Sequence, residues 1–490
     1  MNSIITKLTR DLFILLGGLH VSLGGAVAEG EIPSYQPWDE EIVEAFKSLP
    51  IQQGGRIKPM QAYAQVKLLR YNAKRSMKLE VGKPGSTRTV KITATEWLLD
   101  VMFRPELARK FPTFIVNDSD AIIDIGMEEH AKRRSRYSHD EIFKPAAAPE
   151  DNPRTRLSEK SSKYSKIDES DRTGKQNQVV HLAGNVGEFE YINHLFDFAR
   201  EGVSINLPDV SPDLVGEHLP VSVFLRNVAA IRKASQDPSK IDDLGVALDM
   251  VNRQMGLYLQ TARLFGFTPP RDVDEATWLL PSDLMEAGIR GGVAGAEKIA
   301  FELGALERLE ILGSAEPNSS GFKEALAALR KSTERSMEPR GEGKRIGVEL
   351  LLYKGKFAGN VQACLLLGFL LMMGALLAGQ SRIGLWLRRL GVTFGIFALA
   401  LLATWLTLRC IVMQRPPVAN LYETVIFIVT IVLLLSVVFH FFTRRPIVLP
   451  AALLACSFGV FLSMLYDGMK GEDTMDPLVA VLNSNFWLST

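Results

Sequence analysis

Cysteine is scarce: Cys364, Cys410 and Cys456 are the only three in 490 residues, and each lies in or beside an apolar run. No disulfide framework can therefore staple the charged part of the chain, and the three thiols are expected to be buried apolar groups. Without a Cys-x-x-Cys pair the chain is not a dithiol oxidoreductase, and without Cys-x-x-Cys-His it carries no covalently attached haem of its own. The nucleophile-elbow pattern Gly-x-Ser-x-Gly and the phosphate-loop pattern Gly-x-x-x-x-Gly-Lys-Ser/Thr are both missing, which removes the commonest hydrolase and nucleotide-binding signatures. A net charge of +1 and the lack of a basic stripe argue against a nucleic-acid partner. Tryptophan occurs at Trp38, Trp97, Trp278, Trp386, Trp405 and Trp487, never clustered. His130, His139, His181, His194 and His218 are scattered without metal-site spacing.

Long apolar runs, by contrast, are present, and they are confined to the two ends. Lys7 and Arg10 precede an apolar run from Leu12 to Val27, closed by Ala26-Val27-Ala28 ahead of Glu29. This is the pattern of a secretory signal over 1–28, with an uncleaved anchor as the alternative; either way the residues that follow leave the cytoplasm. Four further runs, 358–378, 390–408, 421–442 and 447–466, reach the roughly 20 residues that a bilayer core requires. Arg382, Arg388 and Arg389 separate the first two, and Arg444-Arg445 the last two. Basic loops face the cytoplasm, so the loop from Arg409 to Asn420 and the tail 467–490 are expected on the outside, the same side as the exported residues. Asp467, Glu472, Asp473 and Asp476 lack calcium-loop spacing and read as a solvated acidic turn.

Between the two ends the periodicity is mostly helical. Apolar residues recur at three and four in Ile42-Val43-Phe46-Leu49, Trp97-Leu98-Val101-Met102 and Tyr191-Leu195-Phe196-Phe198, which are expected to face the core. Strand alternation is brief, in 87–93, with Val90 and Ile92 on one face. The stretch 128–178 turns polar and loses its periodicity around Pro145, Pro149 and Pro153; too little apolar surface offsets its ordering entropy, so it reads as a disordered insertion. The expected organisation is a mainly α protein: exported helical lobes over 29–127 and 179–350, then a four-helix polytopic transmembrane region over 357–466.

The chemistry-bearing candidates cluster before the third run, in Arg415-Pro416-Pro417-Val418-Ala419-Asn420-Leu421-Tyr422-Glu423. The prolines impose an extended approach. Asn420 is a natural N-cap, with Glu423 three residues later placed to reach back to the cap's N–H. Tyr422 suits an interfacial aromatic belt, and Arg415 supplies a guanidinium that can grip a carboxylate bidentately. His440 is the one histidine within these four runs, an iron-ligand candidate by type and an interfacial residue by its place beside Phe439, Phe441 and Arg444.

This loop, together with Asn483-Ser484-Asn485-Phe486-Trp487-Leu488, closely resembles the CcsA (ResC-like) cytochrome c biogenesis proteins of the system II haem-attachment pathway. Leu49-Pro50-Ile51-Gln52-Gln53-Gly54-Gly55-Arg56-Ile57-Lys58-Pro59-Met60 is similar, less specifically, to the segment that opens the exported region of their long, fused forms; Gln61-Ala62 stands where Asp-Thr commonly follows. The resemblance implies a bacterial inner-membrane protein with a large periplasmic domain that helps deliver or present haem at the outer face, for thioether attachment to apocytochrome c. It implies haem as cofactor, with Arg415, Asn420, Tyr422, Glu423 and Trp487 at the haem-facing rim and His440 as a weaker candidate. The family's Trp-rich segment ending in Trp-Asp, with its flanking histidines, has no counterpart in this sequence, and Thr490 falls about where the first such histidine is expected. Catalytic residues proper are therefore not assigned. A ResB/CcsB-type partner, or a companion chain bearing the Trp-rich half, is expected beside the bilayer. The contrasting expectation is a non-catalytic, membrane-anchored scaffold whose exported domain binds a partner.

Overall fold

The computed structural model describes residues 32–83, 86–128, 132–143, 153–237, 241–293, 295–443 and 445–476; the expected signal peptide and Trp487 lie outside them. Lys110–Ala183 belong to one compact unit, and Ile32–Arg109 with Gly184–Thr490 to the other. The chain is mainly helical, with short two-stranded antiparallel sheets among the described residues.

In the larger unit, helix Ala94–Phe103 starts at a capping box in which Thr93 accepts from the Glu96 N–H and Glu96 accepts from the Thr93 N–H. Its face Trp97, Leu98, Val101 and Met102 is buried, as the spacing requires, and so are Ile42, Phe46 and Leu49. Asp100, on the same helix, is fully buried and accepts hydrogen bonds from Tyr35 Oη at 3.0 Å and Trp38 Nε1 at 2.8 Å. Strand Ser86–Thr93 pairs with Ser76–Lys83, and Ile92 turns inward. Tyr191 corrects the expected core list: it is 44% exposed, because the buried line of helix Gly174–Asn193 runs through Leu182, Val186, Phe189 and Ile192 instead.

Strands β1 (Pro50–Gln53) and β2 (Arg56–Pro59) form a hairpin whose two-residue loop is Gly54-Gly55. Both glycines have positive φ, 62° and 75°, the pair of left-handed conformations that lets a two-residue loop match strand twist. Because strand side chains alternate, Arg56 and Lys58 project from the same face of β2.

Among the described residues, four helices are long and apolar enough to cross a membrane: Phe357–Ala378, Arg382–Met413, Leu421–Thr443 and Val448–Gly468. They mark a membrane protein. The second, at 32 residues, is much longer than the expected 390–408. Its apolar core stops earlier, but the helix runs on from a cap at Ser381, whose Oγ accepts from the Gly384 N–H, to a left-handed Gln414. Helical hydrogen bonding continues past the apolar stretch that hydropathy detects. Glycine permits close packing between the first two: a Cβ on Gly391 would lie 2.7 Å from Met372 Cγ and 3.2 Å from the Gly368 carbonyl oxygen.

The smaller unit holds the polar stretch expected to be disordered, and over its described residues, 132–143 and 153–178, the structure corrects that expectation. Strands Phe114–Val116 and Ser135–Tyr137 pair, and Tyr137, Ile142, Leu157 and Tyr164 are buried. Helix Pro153–Tyr164 is fastened through Asp124, which takes hydrogen bonds from Tyr164 Oη at 2.6 Å and Lys160 Nζ at 3.0 Å. A few large side chains and a shared carboxylate order a segment whose average polarity is high.

Candidate functional site at the head of the long helices

The N-terminus of the first long helix, the C-terminus of the second and the N-terminus of the third meet through aromatic contacts. Phe357 stacks on Trp405 with centroids 6.5 Å apart, and Tyr422 meets Trp405 edge-on at 6.2 Å. The loop before the third helix is capped by Asn420, whose Oδ1 accepts from the Glu423 N–H at 2.9 Å. Glu423 reaches back one residue further than expected, to the Ala419 N–H at 3.1 Å.

Glu423 is wholly buried, and its other oxygen accepts from Arg409 Nη2 at 3.1 Å, with Arg415 Nη2 at 3.8 Å. Arg409 and Asn420 both donate to the Thr474 carbonyl, at 3.1 and 2.9 Å, and Arg415 donates to the Asp476 carbonyl at 3.1 Å. The loop therefore grips the backbone of the tail that follows the fourth helix. Tyr422 stays largely buried beneath the Arg409 guanidinium, 4.9 Å from its ring centroid.

The same short tail is held from the other side by the glycine hairpin. Arg56 pairs with Asp473 and, at 3.4 Å, with Asp476; Lys58 Nζ lies 3.1 Å from Asp473 and 2.7 Å from Asp476. Arg56 Nη1 also meets Glu349 Oε2 at 2.7 Å, Glu349 being on helix Lys344–Lys354 just before the first long helix. The Asp473 side chain is only 6% exposed, so the acidic turn expected to be solvated is in fact interior at this position. Two cations on one strand face provide the compensation that such burial demands.

These contacts set the protonation of the cluster. Burial alone would raise Asp473, but Arg56 and Lys58 outweigh it and hold the carboxyl well below the usual range. Burial pushes Glu349 up to about 7, against Arg56 and with help from Asp473. Asp476 is raised by burial and by the neighbouring Asp473 charge. Burial would lower Arg56, yet Asp473 and Glu349 keep it firmly protonated.

Beside this junction lies a cavity of about 530 Å³, lined by Phe357, Trp405, Tyr422 and Met464 and by charged groups of both signs, Arg75, Lys356, Asp467, Glu472 and Asp473 among them. Its walls are apolar and aromatic while its edge is charged, the character of a site for an amphipathic molecule. No histidine lines it, and no group of three or more His, Cys, Asp or Glu placed to hold a metal occurs among the described residues.

Of the expected site residues, Arg415, Asn420 and Glu423 are brought together and committed to the chain's own tail, and Tyr422 lines the cavity. His440 is 6% exposed and sits in the last turn of the third helix, 17 residues and about 25 Å from Glu423 along the helix axis. Sequence reasoning did not assign Arg56, Lys58, Glu349, Arg409, Asp473 or Thr474 to the site. The closely spaced pairs Arg56-x-Lys58 and Asp473-x-x-Asp476, opposite in charge, were the available signal. Compared with known proteins, the chain matches no family model and no curated protein sequence.

Proposed function

We propose that the chain is a component of system II cytochrome c maturation, supporting haem at the outer face of a bacterial inner membrane for thioether attachment to apocytochrome c. The observation that carries this reading is the convergence on one tail of the two segments that resemble the CcsA (ResC-like) family. Arg56 and Lys58 of the first, and Arg415 and Asn420 of the second, all hold residues 473–476. The aromatic cavity beside the junction suits the apolar body of a porphyrin, and Lys356 suits one of its carboxylates.

The iron is a different matter: the lining provides no histidine, so the described residues fit the macrocycle but not the metal. The reading therefore leaves iron ligation to a partner, of the ResB/CcsB type or a companion chain with the Trp-rich segment. This chain contributes a rigid rim. Disruption of its gene in its own host tests the assignment: haem-stained c-type cytochromes are expected to disappear and to return on complementation. Undiminished staining in the disrupted strain would refute it.

One observation favours the second reading, a membrane-anchored scaffold. Arg415, Asn420 and Glu423 direct their hydrogen bonds at the protein itself rather than at open space. A scaffold would lose a partner complex on disruption while covalent haem attachment continued.

A further inference from the structure

The junction contains more acid than its immediate cations can balance. Arg56 and Lys58 face three carboxyl groups, those of Glu349, Asp473 and Asp476. Asp473 and Asp476 each touch both cations, whereas Glu349 touches Arg56 alone. Glu349 is fully buried, and its Oε1 has no hydrogen-bond partner among the described residues. An ionised carboxylate with one bare buried oxygen is costly, and a proton lowers that cost by removing the charge.

The surrounding groups do not supply the missing charge. Arg409 is paired with Glu423, and Arg415 lies toward Glu423 and the Asp476 carbonyl, with no ion pair to Glu349. Arg75 is paired with Asp467, and Tyr353, one turn along the helix from Glu349, adds an uncharged phenol.

We propose that this cluster is a proton-operated latch: Glu349 holds a proton while the tail 471–476 is docked on the hairpin, and releases it to solvent when the tail lifts. Once ionised, Glu349 competes for Arg56 and repels both tail carboxylates. The latch rests on the charge geometry alone and stands whether or not the chain serves cytochrome c maturation.

The sign follows from linkage. A docked-state value of about 7 for Glu349 exceeds that of a solvated glutamate, so docking is strongest in mild acid and weakens as pH rises towards 7. Asp476, also raised, acts in the same direction. Asp473, depressed, acts oppositely, but only in strong acid, below the ordinary carboxylate range.

The test is amide hydrogen exchange of residues 471–476 in the full-length protein in lipid nanodiscs, corrected for intrinsic rates, at about pH 5.5 and about pH 8. Wild type should lose protection at least tenfold at the higher pH, as a buried carboxyl raised to about 7 allows. Glu349→Gln should lose most of that pH dependence, keeping only the part that Asp476 contributes. Asp473→Asn should expose the tail at both, defining the released state, while protection of helix Phe357–Ala378 reports the fold. Should Glu349→Gln fail to fold, Glu349→Met is the second neutral variant. Equal protection of wild type at the two pH values, or an undiminished pH response in a folded Glu349 variant, would overturn the proposal.

Discussion

Arg409 and Glu423, 14 residues apart at opposite ends of the proline loop, form an ion pair at 3.1 Å with side chains 3% and 0% exposed. The pair joins the second long helix, one turn before its C-terminus, to the first turn of the third. It also orients Arg409 towards the Thr474 carbonyl, so that one guanidinium links helix, loop and tail.

Breaking that pair from one side leaves an uncompensated buried charge. Arg409→Ala should destabilise the fold by about 3–5 kcal/mol, and replacing both partners with methionine should cost markedly less. Denaturation of the detergent-solubilised single and double variants measures the difference.

Asn420→Ala removes the cap of the third long helix and the amide that donates to the Thr474 carbonyl. A loss of about 1–2 kcal/mol is expected from the cap. Faster exchange of the Thr474–Asp476 amides should accompany it, whereas Val418→Ala, at a half-exposed residue of the same loop, should change neither.

Gly391→Ala places a methyl group against Met372 and the Gly368 carbonyl. The first two long helices must separate or Met372 must move, at a cost of about 1–3 kcal/mol. Met372→Ala in the same chain should restore part of the loss, which thermal unfolding of the pair of variants can read.

Asp100 is pushed up to about 7 by burial, against Arg104 and the hydrogen bonds from Trp38 and Tyr35. Its folded value lies above its unfolded one, so its contribution is complete below about pH 4 and is lost as pH rises towards 7. Asp100→Asn should flatten that part of the stability profile, seen as thermal midpoints that vary less between about pH 4 and about pH 7.

Much of this architecture was legible along the chain. The capping of the third helix by Asn420 and the four membrane-length helices depend on neighbours within a few residues, whereas the Gly54-Gly55 hairpin went unread. Composition misled where averages hide a few anchors: Leu157 and Tyr164 pack a stretch too polar on average to look ordered. Period misled at Tyr191, where the buried line of the helix falls elsewhere.

By itself the sequence determined where the four long apolar helices fall and which loop carries the arginine and the cap, because local dihedral preference and apolar period act over one or two turns. Only the tertiary structure decided what those side chains hold. Arg56 and Asp473 are 417 residues apart, and nothing in either neighbourhood specifies the other. Their pairing exists because folding brings a strand face and a tail into one interior, where a charge must find its counterpart or give up its ionisation.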